Sequence, residues 1–184
     1  ATAIALGQHV ALEKIASALS RISGIPGRME FVQREPFAVV VDYAHTPDSL
    51  KNVYAFLRNP KLICVLGSTG GGRDKWKRPA MGKIAAEFCD KIILTNEDPY
   101  DENPAQILAE IKSGIKNDKL LMTSEILDRR EAIREALKSA KTGDLVIITG
   151  KGAEQWIMGS NNTKTPWDDR KIVRGEMKKF ELGN

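Results

Sequence analysis

From Ala38 onward the chain alternates short, uninterrupted apolar runs with amphipathic segments. The runs are Ala38-Val39-Val40-Val41, Leu62 to Leu66, Ile92-Ile93-Leu94, Leu120-Leu121-Met122 and Leu145 to Ile148, of which the fourth is the weakest. Continuous apolarity over so few residues predicts strands covered on both faces, as in a parallel sheet. Between the first two runs, Leu50, Val53, Tyr54 and Leu57 recur at i, i+3, i+4 and i+7 behind Thr46 and Pro47, which predicts a capped helix. A second helix is expected from Pro79, presenting Ile84, Ala85 and Phe88. Asn103-Pro104 opens a third, with Ile107, Leu108, Ile111 and Ile115 as its apolar stripe. Asp128 with Glu131 starts a fourth, which carries Ile133 and Leu137 and is closed by Gly143. This order predicts an α/β fold: a doubly wound, mostly parallel Rossmann-like sheet with helices on both faces.

The two ends depart from the alternation. Val10 to Ile22 reads as one helix, and Gly24-Ile25-Pro26-Gly27 forces a turn after it. Residues 1–26 are therefore expected to be a helical lead-in from a preceding domain, and residues 27–184 the α/β domain itself. A last helix is predicted from Trp167 to about Phe180, with Ile172, Val173 and Met177 packing inward.

Composition adds exclusions. The 184 residues are 42% hydrophobic and 28% charged, ordinary for a globular domain. No apolar run approaches the roughly 20 residues of a bilayer span. The opening residues lack a basic flank and a cleavage-type ending, so a cytoplasmic protein without a membrane partner is expected. The net charge of +4 is scattered, which argues against nucleic acid but suits a surface that attracts phosphates. Cys64 and Cys89 sit in apolar segments without metal-ligand spacing and are expected to be buried thiols.

The candidate chemistry follows the strands. In open parallel sheets, ligands sit beyond the carboxyl ends of the strands. Asp42-Tyr43-Ala44-His45-Thr46-Pro47 follows the first run, Gly67 to Lys75 the second, Thr95 to Tyr100 the third, and Gly150 to Glu154 the last. Every cluster of glycine, charge and histidine thus falls on one expected edge. The glycines from Gly67 to Gly72 suit an anion held by backbone N–H groups, with Arg73, Lys75, Lys77 and Arg78 adding charge. The run is neither a G-x-x-x-x-G-K-[ST] loop nor a G-x-G-x-x-G, and a mobile surface loop stays open as the alternative. Asp42 suits ribose hydroxyls or a turn cap, and His45 a phosphate, a base or a structural role. Glu97, Asp98 and Glu154 are carboxylates that repel one another unless a cation arrives, either a metal or a substrate ammonium; a solvated acidic rim is the other reading. Arg73 could grip a carboxylate with its planar fork, and an arginine beside several acids suits a free amino acid.

Taken together, the motifs resemble those of the Mur ligase family. They are Gly27-Arg28-Met29-Glu30, Asp42-Tyr43-Ala44-His45-Thr46-Pro47-Asp48, Gly72-Arg73-Asp74-Lys75-x-Lys77-Arg78-Pro79 and Gly150-Lys151-Gly152-x-Glu154, in the family's order and spacing up to about Arg170. The branch that adds the third residue of the peptidoglycan stem peptide is the most similar. The resemblance implies the C-terminal domain of an ATP-dependent amide ligase acting on UDP-N-acetylmuramoyl-L-Ala-D-Glu. It also implies a partner in the central domain of the same enzyme, which would hold most of the Mg²⁺, and a monomer. Arg28, Asp42 and His45 would then meet the nucleotide, and Arg73 the α-carboxylate of the incoming amino acid. Glu97, Asp98, Tyr100, Gly150 and Glu154 would line the rest of that amino acid's site. No catalytic residue and no metal ligand of its own is expected in this segment, which alone should be inactive.

Two departures from the family pattern bear on chemistry. Ala153 stands where the family has histidine in Gly-Lys-Gly-His-Glu. Glu97-Asp98-Pro99-Tyr100 stands where diaminopimelate-adding members carry Asp-Asn-Pro-Arg. Loss of that arginine predicts a dibasic acceptor such as L-lysine or ornithine rather than meso-diaminopimelate. Folylpolyglutamate synthetase, the D-Ala-D-Ala-adding ligase and cyanophycin synthetase share parts of these motifs, and a non-catalytic nucleotide-binding module is the reading outside enzymes.

Overall fold

A computed structural model describes residues 1–22, 24–58, 60–72 and 74–182. In chain order the elements are α1 (Thr2–Gly7), α2 (Leu12–Ser20), β1 (Glu30–Gln33), β2 (Ala38–Val41), α3 (Pro47–Leu57), β3 (Leu62–Leu66), α4 (Lys77–Phe88) and β4 (Lys91–Leu94). They continue with α5 (Pro104–Lys112), α6 (Asn117–Leu120), β5 (Thr123–Glu125), α7 (Arg129–Ser139), β6 (Leu145–Ile148), β7 (Trp156–Met158), β8 (Lys164–Pro166) and α8 (Asp169–Leu182). Six strands form one sheet in the order β1-β2-β6-β3-β4-β5, parallel throughout except for β1 at the edge.

The apolar runs are continuous because each strand feeds two cores. Side chains alternate across a strand, so Val40, Cys64, Ile92 and Ile147 join Leu50, Tyr54, Met81, Leu108 and Ile111 beneath α3, α4 and α5. Val39, Val41, Ile63, Val65, Ile93, Val146 and Ile148 join Ile133, Leu137, Ile172 and Val173 beneath α7 and α8. On the first face α4 and α5 approach until their backbones touch. A Cβ at Gly82 would collide with the carbonyl of Ile111, so only glycine permits that approach.

Helix starts agree with the sequence. Thr46 caps α3 reciprocally with Ser49, Asn103 caps α5, and Asp128 accepts from the amides of Arg130 and Glu131 to cap α7. Four details differ. The run Leu120-Leu121-Met122 is no strand: α6 ends at Leu120, Leu121 is 92% exposed, and the edge strand is the polar Thr123–Glu125 that follows. An edge strand has one neighbour and little cover, so it carries no apolar signature. The second helix begins at Lys77, not Pro79, and the lead-in helix expected from Val10 to Ile22 is α2, Leu12–Ser20, preceded by a further short helix, α1. Gly143 serves the turn into β6, with φ at +89°, rather than ending α7.

The expectation of free thiols is corrected. Cys64 and Cys89 form a disulfide across a Cα separation of 6.1 Å. Cys64 faces α4 from the middle of β3, and Cys89 follows directly where α4 ends, which brings two buried sulfurs within bonding reach.

Candidate functional site

The carboxyl ends of β2, β3, β4 and β6 meet at one edge, and the loops leaving them build the site. The first loop is organised by Asp42. Its amide donates to the Ile148 carbonyl (3.0 Å), its Oδ1 accepts from the Ala44 amide (2.8 Å), and its Oδ2 accepts from the Met29 amide (2.7 Å). Asp42 is buried, so its first task is to hold this turn and to fasten the Arg28-Met29 segment to it. Arg28 itself is exposed, with its guanidinium carbon 4.2 Å from the centre of the Tyr43 ring. His45 packs edge-on to the same ring, and its Nδ1 lies 2.8 Å from the Tyr43 carbonyl. A carbonyl only accepts, so Nδ1 carries a proton and Nε2 remains for another partner.

The acidic residues are arranged differently from the sequence expectation. Glu97, Asp98 and Glu154 are not waiting together for a cation, because the chain supplies one. Lys151, buried in the loop that leaves β6, places Nζ 2.8 Å from both oxygens of Asp98 and 2.6 Å from Glu154. Asp98 also accepts from the Met158 amide (2.8 Å), which ties the β7–β8 hairpin to the site. Tyr43 donates its hydroxyl to Glu154 Oε1 at 2.7 Å. Burial works against the Glu154 charge, but Lys151 and Tyr43 hold the carboxyl below its usual range. The Tyr43 hydroxyl is conversely pushed up to about 12, chiefly by its bond to Glu154.

Glu97 stands apart. It is buried, its Oε1 accepts from the Thr69 hydroxyl (2.8 Å), and its Oε2 has no hydrogen-bond partner among the described residues. Burial raises its pKa against the attraction of Arg129. Gly150, at φ +108°, lies against this carboxylate so closely that a Cβ would strike Oε2.

The glycine-rich loop is fixed from below. Buried Arg78 donates to Glu110 (2.6 Å), to Glu102 (3.0 Å) and to the Thr69 carbonyl (3.1 Å), while Glu102 accepts from the Gly72 amide (2.7 Å). Hydrogen bonding to Arg78 holds Glu102 down at about 2. Arg78 is thus a strut and no anion ligand. Lys77 is also buried and reaches the His45 carbonyl at 3.4 Å. Arg73 lies outside the described residues.

A cleft of about 570 Å³ opens over this edge and is lined by His45, Glu97, Asp98, Tyr100, Gly150 and Glu154 together with Tyr43. Six of the expected site residues therefore share one cavity. The other two described ones do not line it. Asp42 lies beneath the first loop, and Arg28 lines a separate hollow of about 460 Å³ with Arg34, Arg170 and Arg174. Among the described residues, no group of three or more His, Cys, Asp or Glu side chains is placed to hold a metal ion. Two of the three acids, Asp98 and Glu154, are occupied by Lys151, and Glu97 alone offers a single unpartnered oxygen, so the donor set does not fit Mg²⁺.

Three residues that position this site escaped the sequence reading. Lys151 had a signal: a charged residue between two glycines, in the loop that leaves a fully apolar strand. Tyr43 sat inside a motif whose flanking Asp42 and His45 drew the attention. Arg129 had none, being one arginine at the start of a helix rich in them. Its guanidinium grips Asp169 through both oxygens (2.9 and 2.7 Å) and donates to the carbonyls of Thr149 (2.8 Å) and Asn96 (3.3 Å).

A family model described as "Mur ligase, glutamate ligase domain" matches residues 27–152. The UDP-N-acetylmuramoyl-L-alanyl-D-glutamate–2,6-diaminopimelate ligase of Syntrophomonas wolfei is 44% identical over 97% of this chain. The protein of the same name from Gloeobacter violaceus is 47% identical over 96%. A solved structure of a ligase with that name superposes at TM-score 0.77 with 35% identity, covering 98% of this chain. This chain spans 38% and 36% of the two relatives and 37% of the solved one.

Proposed function

The chain belongs to the Mur ligase family, and from that premise we propose that it is the C-terminal domain of an ATP-dependent ligase. In this reading residues 1–26 are the end of a central domain and residues 27–184 the C-terminal domain. The whole enzyme joins the amine of an amino acid to UDP-N-acetylmuramoyl-L-Ala-D-Glu, in the cytoplasm. The observation that carries the reading is the shared cleft, which His45, Glu97, Asp98, Gly150 and Glu154 line together at the sheet edge where α/β proteins bind ligands.

Each residue then has a task. Glu154, kept ionised by Lys151 and Tyr43, receives the ammonium of the incoming amino acid. Glu97, buried with one oxygen unpartnered, offers that oxygen to the same molecule. Arg73 takes its α-carboxylate. His45 turns Nε2 to the nucleotide, and Arg28 reaches it from beyond the Tyr43 ring. Asp42 has lone pairs left for a ribose hydroxyl after its two backbone bonds. ATP supplies the activation of the dipeptide carboxylate, and Mg²⁺ is assigned to the central domain because the acids here do not fit it.

The acceptor is proposed to be 2,6-diaminopimelate. The relatives are named as ligases of 2,6-diaminopimelate, and none of them supports the expectation of L-lysine. The charge argument for lysine is also weaker than the sequence suggests, because Lys151 already offsets one of the two charges on Asp98 and Glu154. One observation still favours a monocarboxylic acceptor: Tyr100 lines the cleft where diaminopimelate-adding members have arginine. Assaying the full-length enzyme with meso-diaminopimelate, L-lysine and L-ornithine decides between them. Diaminopimelate as the substrate with the highest kcat/KM is the expected result; no turnover of any diamino acid overturns the reading.

A further inference from the structure

The nucleotide-facing and amino-acid-facing groups of this edge meet at one side chain. Tyr43 has Arg28 stacked on its ring at 4.2 Å, His45 packed edge-on at 4.7 Å and bonded to its carbonyl, and Glu154 accepting its hydroxyl at 2.7 Å. We propose that Tyr43 is a positioning residue that couples the two substrates, orienting Glu154 for the amine while its ring carries Arg28 and His45 for the nucleotide. The inference rests on the ligase reading and adds to it the part that links its two halves.

The geometry leaves Tyr43 little freedom. Glu154 is partly exposed and, among the described residues, held at two points, Lys151 on one oxygen and Tyr43 on the other. Without the hydroxyl, the carboxylate would be free to rotate about its bond to Lys151. The base of the side chain is itself held, since Gly152 packs so near that a Cβ there would come within 2.9 Å of the Tyr43 Cβ. The charged groups that act on the pair are Arg28 and Glu97 on Tyr43, and Lys151 and His45 on Glu154. A ligand that moves Arg28 or His45 therefore pushes on a ring whose other end sets the orientation of Glu154.

Two measurements test this. In this chain, Tyr43→Phe identifies the Tyr43 contribution to the alkaline tyrosinate absorbance, and Glu154→Gln is expected to move that contribution to lower pH. An unmoved titration would mean that the two groups are not bonded and would overturn the proposal. In the full-length enzyme, Tyr43→Phe keeps the ring and removes one hydrogen bond to a charged group. It is expected to raise the KM for the amino acid roughly tenfold while leaving that for ATP unchanged. The acid limb of kcat/KM should shift to higher pH, because Glu154 loses a donor that favours its ionised form. Tyr43→Ala should in addition raise the KM for ATP, through lost support of Arg28. An active Tyr43→Phe enzyme with unchanged amino-acid KM and pH limb overturns the coupling alone. A wild-type enzyme without ligase activity overturns the ligase reading, and the coupling with it.

Discussion

Lys151 Nζ lies 2.8 Å from each carboxylate oxygen of Asp98, and both side chains are buried at the floor of the cleft. A buried pair of this kind gains little over an apolar substitute, but breaking it leaves an uncompensated charge. Lys151→Met alone is expected to cost about 3–5 kcal/mol of stability, measured by denaturant unfolding. Adding Asp98→Asn should recover a substantial part, since the stranded carboxylate is then gone. A double variant as unstable as the single one would show that the pair acts mainly through packing.

A second expectation concerns acid stability. Hydrogen bonds from Arg134, with others from Lys179 and Arg130, hold the carboxyl of Glu176 at about 2, well below the ordinary glutamate range. A depressed folded-state pKa adds stability that is complete above the unfolded value and is lost as pH falls towards the folded one. The window is therefore about pH 4.5 down to about 2. Glu176→Gln should flatten the fall in melting temperature across this window and leave the neutral-to-alkaline side unchanged in slope. The same steep acid loss in the variant would exclude Glu176 as its source.

The contact between α4 and α5 gives a third. Gly82→Ala puts a methyl group against the Ile111 carbonyl, so the helices must separate. Overpacking of this size is expected to cost about 1–3 kcal/mol, read as a lowered denaturation midpoint at unchanged slope. Because the N-terminal end of α4 carries Lys77 and Arg78, the variant should also loosen the glycine-rich loop, visible as faster amide exchange at Gly70 and Gly72.

How far the sequence discloses this molecule depends on how local each signal is. Four of the five apolar runs became β2, β3, β4 and β6 because burial on both faces is written in consecutive residues. The helix caps at Thr46, Asn103 and Asp128 were legible for the same reason. β5 was misplaced by a few residues, since an exposed edge strand need not be apolar, and the Leu120 run belongs instead to the end of α6 and an exposed turn. In the cleft, strand-end logic found six lining residues, yet it read the acids as unpartnered. Their partner Lys151 is only 3 residues before Glu154, but its distance to Asp98, 53 residues away, depends on β4 and β6 flanking β3. Pairings of that kind are properties of the sheet order, which periodicity does not encode. The Cys64–Cys89 disulfide was missed on the same ground, being a contact between the middle of a strand and the far end of the following helix.

The grip of Arg129 on Asp169 has a consequence for how the molecule comes into being. Arg129 holds the carbonyls of Asn96 and Thr149, which lie at the ends of the strands that floor the cleft, and Asp169 is the first residue of α8. During synthesis every strand of the large sheet is made before that partner exists. Until α8 docks, the guanidinium beneath the floor lacks its bidentate partner and has only the through-space attraction of Glu97 and Asp98, so burying it there is less favourable. The sheet can therefore assemble without α8, but the floor of the cleft is fully braced only once that helix is in place.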